Sequence, residues 1–345
     1  MRALITIMST TNMQSPTDKT GKFLLTTEEE LFNTIIDAAH PFRRLNDILD
    51  FDTLTLPLRQ TYSTLGAHGI DVERGIKALL IQFWENYSDR EMEKAVRENL
   101  AIRWFCGFGL TDQTPDYSYF CKLRKRLGTK RIATLFNNVN ATLEARGLFG
   151  NVFTFIDASS IISKTALWEE RDRAIADGAE KLNNKNVAHY AADPDARWGA
   201  KSKKNIWFGH KRHTAVDMRH GLVKKLAVTP ANVQDFATVK SIAPKTGAVF
   251  MDKMYDTKAT DRILRALGLH PSTLRKNNNP RKNRDLDRWR SGIRMPFEST
   301  YAKMSKRARY RGHAKVTMQC FFEALVHNLK KAVRFLLPEP ILSGA

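Results

Sequence analysis

Val152-Phe153-Thr154-Phe155-Ile156-Asp157 and Ala248-Val249-Phe250-Met251-Asp252 are two apolar runs, each closed by an aspartate. Short runs rich in β-branched and aromatic residues read as buried strands, so each places a carboxylate at a strand end. A third acid follows in Arg294-Met295-Pro296-Phe297-Glu298, on a stretch expected to form a basic helix. Three carboxylates gathered from distant points of a chain suit a hard divalent cation, which takes oxygen ligands. Taken singly, Asp252 also reads as turn chemistry, and Glu298 as an ordinary acid of a helix's first turn.

Around these runs the chain alternates strands and helices. Asn205 to Asp217 and Gly221 to Thr229 read as two strands of a hairpin turning through Arg219-His220-Gly221. Asp256 to Leu267 reads as a helix, Pro271 to Arg275 as a short strand, and Thr317 to Leu337 as a long apolar helix. The expected fold class is therefore α/β. Lys164 to Lys204 is polar and too long for a tight turn. It reads either as a DNA-contacting insertion, with Trp168 and Trp198 as stacking platforms, or as a solvated excursion. His210, His213 and His220 invite a zinc reading. His210 and His213 would face opposite sides of a strand, so solvated or phosphate-contacting roles are expected instead.

Before Gly147 to Asn151 the pattern is helical. Thr27-Glu28-Glu29-Glu30 opens a helix carrying Leu31, Ile35, Ile36 and Ala39. Asp71 to Tyr87 follows, with Ile76, Leu79, Leu80, Phe83 and Trp84 on one face. Ser88 and Glu91 have capping-box spacing. Thr114-Pro115-Asp116 begins a helix with Phe120, Leu123 and Leu127 apolar and Lys122, Arg124, Lys125 and Arg126 charged. Residues 89–127 thus read either as a helix-turn-helix with Arg124 and Lys125 at DNA, or as a helical hairpin with a solvated basic face. The boundaries expected are a disordered lead at 1–22, a helical DNA-binding domain at 23–150, a catalytic domain at 151–335 with an insertion at 164–204, and a tail at 336–345.

Charge narrows the partner. The 345 residues carry 56 Lys+Arg against 36 Asp+Glu, a formal charge of +20, which favours a polyanion. Between Arg275 and Lys315 there are 14 Lys/Arg and three acids, and between Arg197 and Lys225 nine against Asp217 alone. Both clusters adjoin the proposed carboxylates. Cys106, Cys121 and Cys320 are widely spaced and contain no C-x-x-C, which argues against a disulfide framework or zinc site and fits a reducing cytoplasm. No apolar run approaches a membrane span, and no secretory leader is recognisable.

Several blocks resemble those of bacterial insertion-sequence DDE transposases, most closely the insertion-sequence-five family of the insertion-sequence-four superfamily. They are Phe155-Ile156-Asp157-Ala158-Ser159, Trp207 to Asp217, Val228 to Asp235, Met251-Asp252-Lys253-Met254-Tyr255-Asp256 and Arg307-Ala308-Arg309-Tyr310-Arg311-Gly312-His313-Ala314-Lys315. Tyr87 to Glu91 and Pro115 to Ser118 are similar to the family's N-terminal helical domain. The resemblance implies a ribonuclease H-like catalytic domain with Asp157, Asp252 and Glu298 as catalytic metal ligands. A related signature, Y-x2-R-x3-E-x6-K, falls on Arg294 and Glu298, with Ser291 in place of its Tyr and Ser305 in place of its Lys, Lys306 being one position later. Gln234 and Met254 also depart from residues frequent in the family.

By the same resemblance, two Mg²⁺ ions, or Mn²⁺ in substitution, would serve in-line displacement at phosphodiesters. Arg294, Lys303, Lys306, Arg309, Arg311 and Lys211 are expected to meet DNA phosphates. The expected partners are double-stranded DNA, comprising element terminal inverted repeats and target, and a second copy of the chain in a synaptic homodimer at the bacterial nucleoid. Cleavage at element ends would free a 3′-hydroxyl that attacks target DNA. A catalytically degenerate DNA-binding copy and another ribonuclease H-like nuclease are the alternatives.

Overall fold

The computed structural model describes residues 27–60, 69–164, 183, 187, 191–202, 205–302 and 304–336. The chain divides into two compact units, Met1–Leu127 and Gly128–Ala345. The helical run Tyr117–Ala145 breaks at this division, where Gly128 adopts φ 65° and ψ 172°. Residues 129–145, read from sequence with the helical domain, thus fall in the second unit.

The first unit is helical among its described residues. Thr27 and Glu30 form a reciprocal capping box on Glu28–Ile35, as Ser88 and Glu91 do on Asp89–Glu98. The first helix buries Phe32, and Ile36 just beyond it, leaving Ile35 exposed, so its inward stripe is displaced from the expected one. Val72–Trp84 buries Ile76, Leu79, Leu80 and Phe83 as expected, but also Ala78, Ile81 and Gln82 on its other sides, while Trp84 is only half-buried. Phe105 meets Phe42 and Phe51 at 5.3 and 5.6 Å between ring centroids. These aromatics are core.

The second unit is built on a six-stranded mixed sheet: β1 (Phe153–Ile162), β2 (Arg197–Ser202), β3 (Asn205–Asp217), β4 (Val223–Pro230), β5 (Ala248–Met251) and β6 (His270–Thr273). The path runs β2-β3-β1-β5-β6, with β4 also paired to β3. β1 pairs antiparallel with β3 and parallel with β5, and β5 pairs parallel with β6. The 13 residues of β3 pair with β2 through the first part and with β4 through the second. β2 lies inside the segment read from sequence as a polar insertion. Its Trp198 is buried against Phe208, ring centroids 5.3 Å apart, so it is a core residue and no stacking platform. Trp168 lies outside the described residues.

Period-two alternation sorts the sheet into two apolar faces. Ile156, Ala215, Val249 and Met251 pack with Val239, Tyr255 and Leu264 on one side. Phe155 and Phe250 pack with Ile293, Phe297 and Tyr301 of the Arg284–Ala302 helix on the other. Further along that face, Ile161 and Val228 meet Val316 and Cys320 of the helix His313–Phe335. Arg307 to Gly312 precedes this helix as irregular chain, so the basic block Arg307–Lys315 is a loop as far as Gly312 and helical only from His313.

Gly209 permits a close approach. Its φ is 153°, and a Cβ there would fall 2.0 Å from the Ile161 carbonyl oxygen and 2.8 Å from the Ser163 nitrogen. Both are backbone atoms and cannot rotate away. Gly209→Ala is expected to destabilise the protein by about 2–3 kcal/mol, read as a fall in the thermal unfolding midpoint. An unchanged midpoint would show that β1 and β3 separate there at little cost.

Candidate functional site: an arginine-bridged carboxylate cluster

Asp157 lies within β1, which runs on to Ile162, so the first aspartate does not close its strand as the apolar run implied. The reason is that pairing with β3 continues through Ile162↔Gly209, whereas the parallel ladder with β5 stops at Ile156↔Met251. Asp157 therefore stands where one neighbour ends. Asp252 is the first residue beyond β5 and caps the following turn, its Oδ1 accepting the Lys253 N–H at 2.6 Å. Continuing the register puts the two backbones about 4.8 Å apart, the ordinary strand spacing. Since Phe155 and Phe250 share a face, alternation aims Asp157 and Asp252 the same way.

That face is covered by the helix bearing the third acid. Ile293, Phe297 and Tyr301 recur every fourth residue and seat the helix on Phe155 and Phe250. This brings Arg294 and Glu298, one position round, beside the aspartates. Arg294 Nη2 lies 3.1 Å from Glu298 Oε1, and Nη1 lies 3.9 Å from Asp252 Oδ1. The guanidinium carbon sits 5.2 Å from the Phe155 ring centroid. Glu298 occupies the second half of the helix, so the reading of it as an N-terminal acid does not apply.

Burial pushes the Asp157 carboxyl up to about 6. Hydrogen bonding from the Ala158 N–H and the charge of Arg294 oppose this, while Asp252 adds to it. Two phenols lie near the group, Tyr301 on its own face of the sheet and the buried Tyr255 on the other. Tyr301 donates to the Thr214 carbonyl at 3.4 Å, and burial with the nearby Asp157 holds the Tyr301 and Tyr255 hydroxyls well above their usual range. Neither tyrosine was singled out from sequence; the four-residue step from Phe297 to Tyr301 was the available signal.

The raised value has a consequence for stability. In metal-free protein the folded state binds a proton at Asp157 more tightly than the unfolded chain, whose carboxyl titrates near 3.8. The contribution is present below about pH 4 and is lost as pH rises through about 6, amounting to at most about 3 kcal/mol. Asp157→Asn should therefore gain stability over wild type between pH 4.5 and 7, measured by urea denaturation without divalent ions. A constant difference between the two proteins across that range would contradict the assigned burial.

The carboxylate set is chemically suited to a hard cation. Asp157 and Asp252 share a face, and a divalent ion would relieve the repulsion and desolvation that raise Asp157. Glu298 is turned onto Arg294, and among the described residues no three His, Cys, Asp or Glu side chains stand close enough to hold an ion in their present rotamers. Completing a three-acid cage requires Glu298 to leave Arg294.

The other residues expected at DNA are dispersed. Lys306 and Arg311 are exposed, and the segment around them joins β1 at its far end: Ile162 N donates to Lys306 O at 2.7 Å and Ala308 N to Ile162 O at 2.9 Å. Arg309 N donates to Gln319 Oε1 at 2.8 Å. Lys303 lies outside the described residues. Lys211 pairs with Ser160 on the face away from Asp157 and donates to Asp235 Oδ1 and the Val233 carbonyl, both at 2.9 Å, so it does not join the acids. Arg124 is also corrected: it is buried and donates to Asp89 and Gln82, tying its helix to the preceding ones, whereas Lys125 is exposed. Neither His210 nor His213 is solvated. His210 Nε2 lies 3.1 Å from Asp193 Oδ2, and His213 Nε2 lies 2.9 Å from Thr229 Oγ1, with burial lowering His213 to about 4.

Together the fold and site define an α/β protein with an acidic, arginine-bridged centre on one face of a mixed sheet, preceded by a helical unit. The chain belongs to the transposase DDE domain family, which it matches over residues 153–329. Residues 30–126 match a second transposase domain family, DUF772. Among solved structures the chain is similar to a piggyBac transposase in a synaptic complex with hairpin DNA, at 9% identity over 81% of this chain and 70% of that one, with a TM-score of 0.35. No described helix is long and apolar enough to cross a membrane.

Proposed function

We propose that this chain is an insertion-sequence transposase of the insertion-sequence-five family that cleaves DNA at element ends and joins the freed 3′-hydroxyl to target DNA. The observation that carries the reading is the shared face of Asp157 and Asp252 at the end of β5, with Glu298 joined to Asp252 through Arg294. The strand arrangement, in which β3 pairs antiparallel with β1, β2 and β4 and β1 is continued by the parallel β5 and β6, supports a ribonuclease H-like assignment.

In this reading Asp157, Asp252 and Glu298 would hold two Mg²⁺ ions, or Mn²⁺ in substitution, which would supply acidification of the attacking hydroxyl and stabilisation of the leaving oxygen for an in-line displacement. The chain's own residues supply the rest. Asp157 and Asp252 present oxygen from a rigid sheet, and Tyr301, packed on the same face, limits water beside Asp157. Once Glu298 turns toward the aspartates, Arg294 is released to donate to the scissile phosphate. Lys303, Lys306, Arg309 and Arg311 extend the phosphate-binding track, Lys125 belongs to the helical unit's DNA surface, and two copies act on paired terminal repeats at the nucleoid.

A strand-transfer assay on duplexes carrying the flanking repeats, with and without Mg²⁺, tests this. Joined products that disappear in Asp157→Ala while binding persists support transposition. Cleavage without joining would instead identify a nuclease, and binding without metal-dependent products a catalytically inactive copy.

A further inference from the structure

A second site lies at the opposite end of the sheet. β1, β4 and β5 run in one direction, and just at their starts a pocket of about 520 Å³ opens, lined by Ala141, Phe149, Asn151, Lys224, Lys225 and Lys245 among others. β5 alone separates this end from Asp252 by about 13 Å, at about 3.3 Å per residue. The pocket is therefore distinct from the carboxylate centre.

Its electrostatics are incomplete. Asp217, beneath Lys224 at 4.0 Å, is fully buried and already accepts from the backbone nitrogens of Gly150, Asn151, Arg219 and His220. Glu144 Oε1 accepts from Asn151 Nδ2 at 2.6 Å, and Lys224 donates to Asn151 Oδ1. Among the described residues Lys225 Nζ donates only to the Ala243 carbonyl, at 2.5 Å. Burial lowers Lys225, the charge of Lys245 lowers it further, and no carboxylate offsets either effect. On the pocket wall Lys225 feels the charge of Lys245, while the lining's one acid, Glu144, accepts from Asn151 instead, which leaves room for an anion. Beside them, Ala141 and the Phe149 ring supply an apolar wall, and the volume falls within the range of small-ligand sites.

We propose that this pocket binds a nucleotide phosphate, with Lys225 and Lys245 on the anion and the Ala141–Phe149 wall against the attached nucleoside. The nucleotide belongs either to a DNA strand or to a free nucleotide; only the first source rests on the transposase reading. On a DNA strand, a phosphate here would lie about four nucleotides or more from the one at the carboxylates, given about 3.4 Å per nucleotide.

The test uses the full chain, titrated with dAMP by calorimetry and with a labelled duplex by anisotropy across a salt series. Lys225→Gln with Lys245→Gln should weaken dAMP at least tenfold and, if the source is DNA, lower the salt slope by about 0.9, one phosphate contact. Ala141→Trp fills the pocket from an exposed position without changing charge. It should abolish dAMP binding, weakening duplex binding too if the source is DNA and sparing it if the source is a free nucleotide. The proposal is overturned if Ala141→Trp binds dAMP as wild type does. It is equally overturned if wild type binds no dAMP and Ala141→Trp leaves duplex affinity unchanged. Asp157→Ala reports separately on the catalytic reading, since it should lose products while binding dAMP normally.

Discussion

Asp157→Ala is expected to reduce metal-dependent cleavage and joining at least about 10³-fold while leaving duplex affinity unchanged or slightly tighter. The size follows from what a metal ligand contributes: transition-state stabilisation of several kcal/mol, of which about 4 kcal/mol corresponds to 10³ in rate. Tighter binding, where seen, comes from deleting a negative charge near the phosphate path. Asp252→Ala should behave alike, because its backbone continues the register beside Asp157 just beyond the last pair, Ile156↔Met251. Glu298→Ala tests the weaker member. Its carboxylate is half exposed and paired with Arg294, so losing it removes a ligand but also frees Arg294 for phosphate, and a smaller loss is expected. Single-turnover rates at saturating Mg²⁺ distinguish these cases. Retention of more than a tenth of wild-type rate in Asp157→Ala would remove this carboxylate from the reaction.

Glu323→Ala is expected to destabilise the protein by about 3–5 kcal/mol, although Glu323 touches none of the acids. Arg212 is fully buried on β3, its Nη1 lying 2.6 Å from Glu323 Oε2 and its Nη2 donating to the Ser305 carbonyl at 3.2 Å. Gln319 Nε2 donates to the other Glu323 oxygen at 2.7 Å and to the Arg307 carbonyl at 3.0 Å. Removing Glu323 strands a guanidinium inside the sheet, where it keeps one backbone acceptor and no counter-charge. For a domain of this size the thermal midpoint should fall by roughly 10 °C. The double variant Arg212→Met with Glu323→Leu should recover most of that loss, since an apolar pair replaces a buried ion pair at little net cost. It should still loosen the Ser305 to Arg309 segment, seen as faster amide exchange there. Equal destabilisation of the single and double variants would show that the cost lies in packing and not in the unpaired charge.

Period and capping chemistry made most elements readable. The two apolar runs, the hairpin strands, Val72–Trp84 and the Ser88–Glu91 capping box are set by interactions within a few residues, and local residue types specify them. The reading failed where a long-range partner decides. β1 continues through Ala158-Ser159-Ser160 because β3 pairs with it from some fifty residues away, and no local pattern announces that partner. β2 was taken for part of an insertion for the same reason: its pairing with β3 and the burial of Trp198 come from tertiary contact. Lys122, Arg124, Lys125 and Arg126 look alike as letters, yet Arg124 turns inward because Asp89 and Gln82 wait there.

By itself the sequence determined the α/β class, the basic charge that favours a polyanion and the two aspartates after apolar runs, since these depend on composition and short-range pattern, while Glu298 came from the resemblance of its motif. Only the tertiary structure decided that Asp157 and Asp252 share one face where β5 ends, that Arg294 stands between Asp252 and Glu298, and that Lys211 and Arg124 are directed elsewhere. Side-chain direction is set by strand register and helix seating, and both are fixed by contacts between residues far apart in the chain.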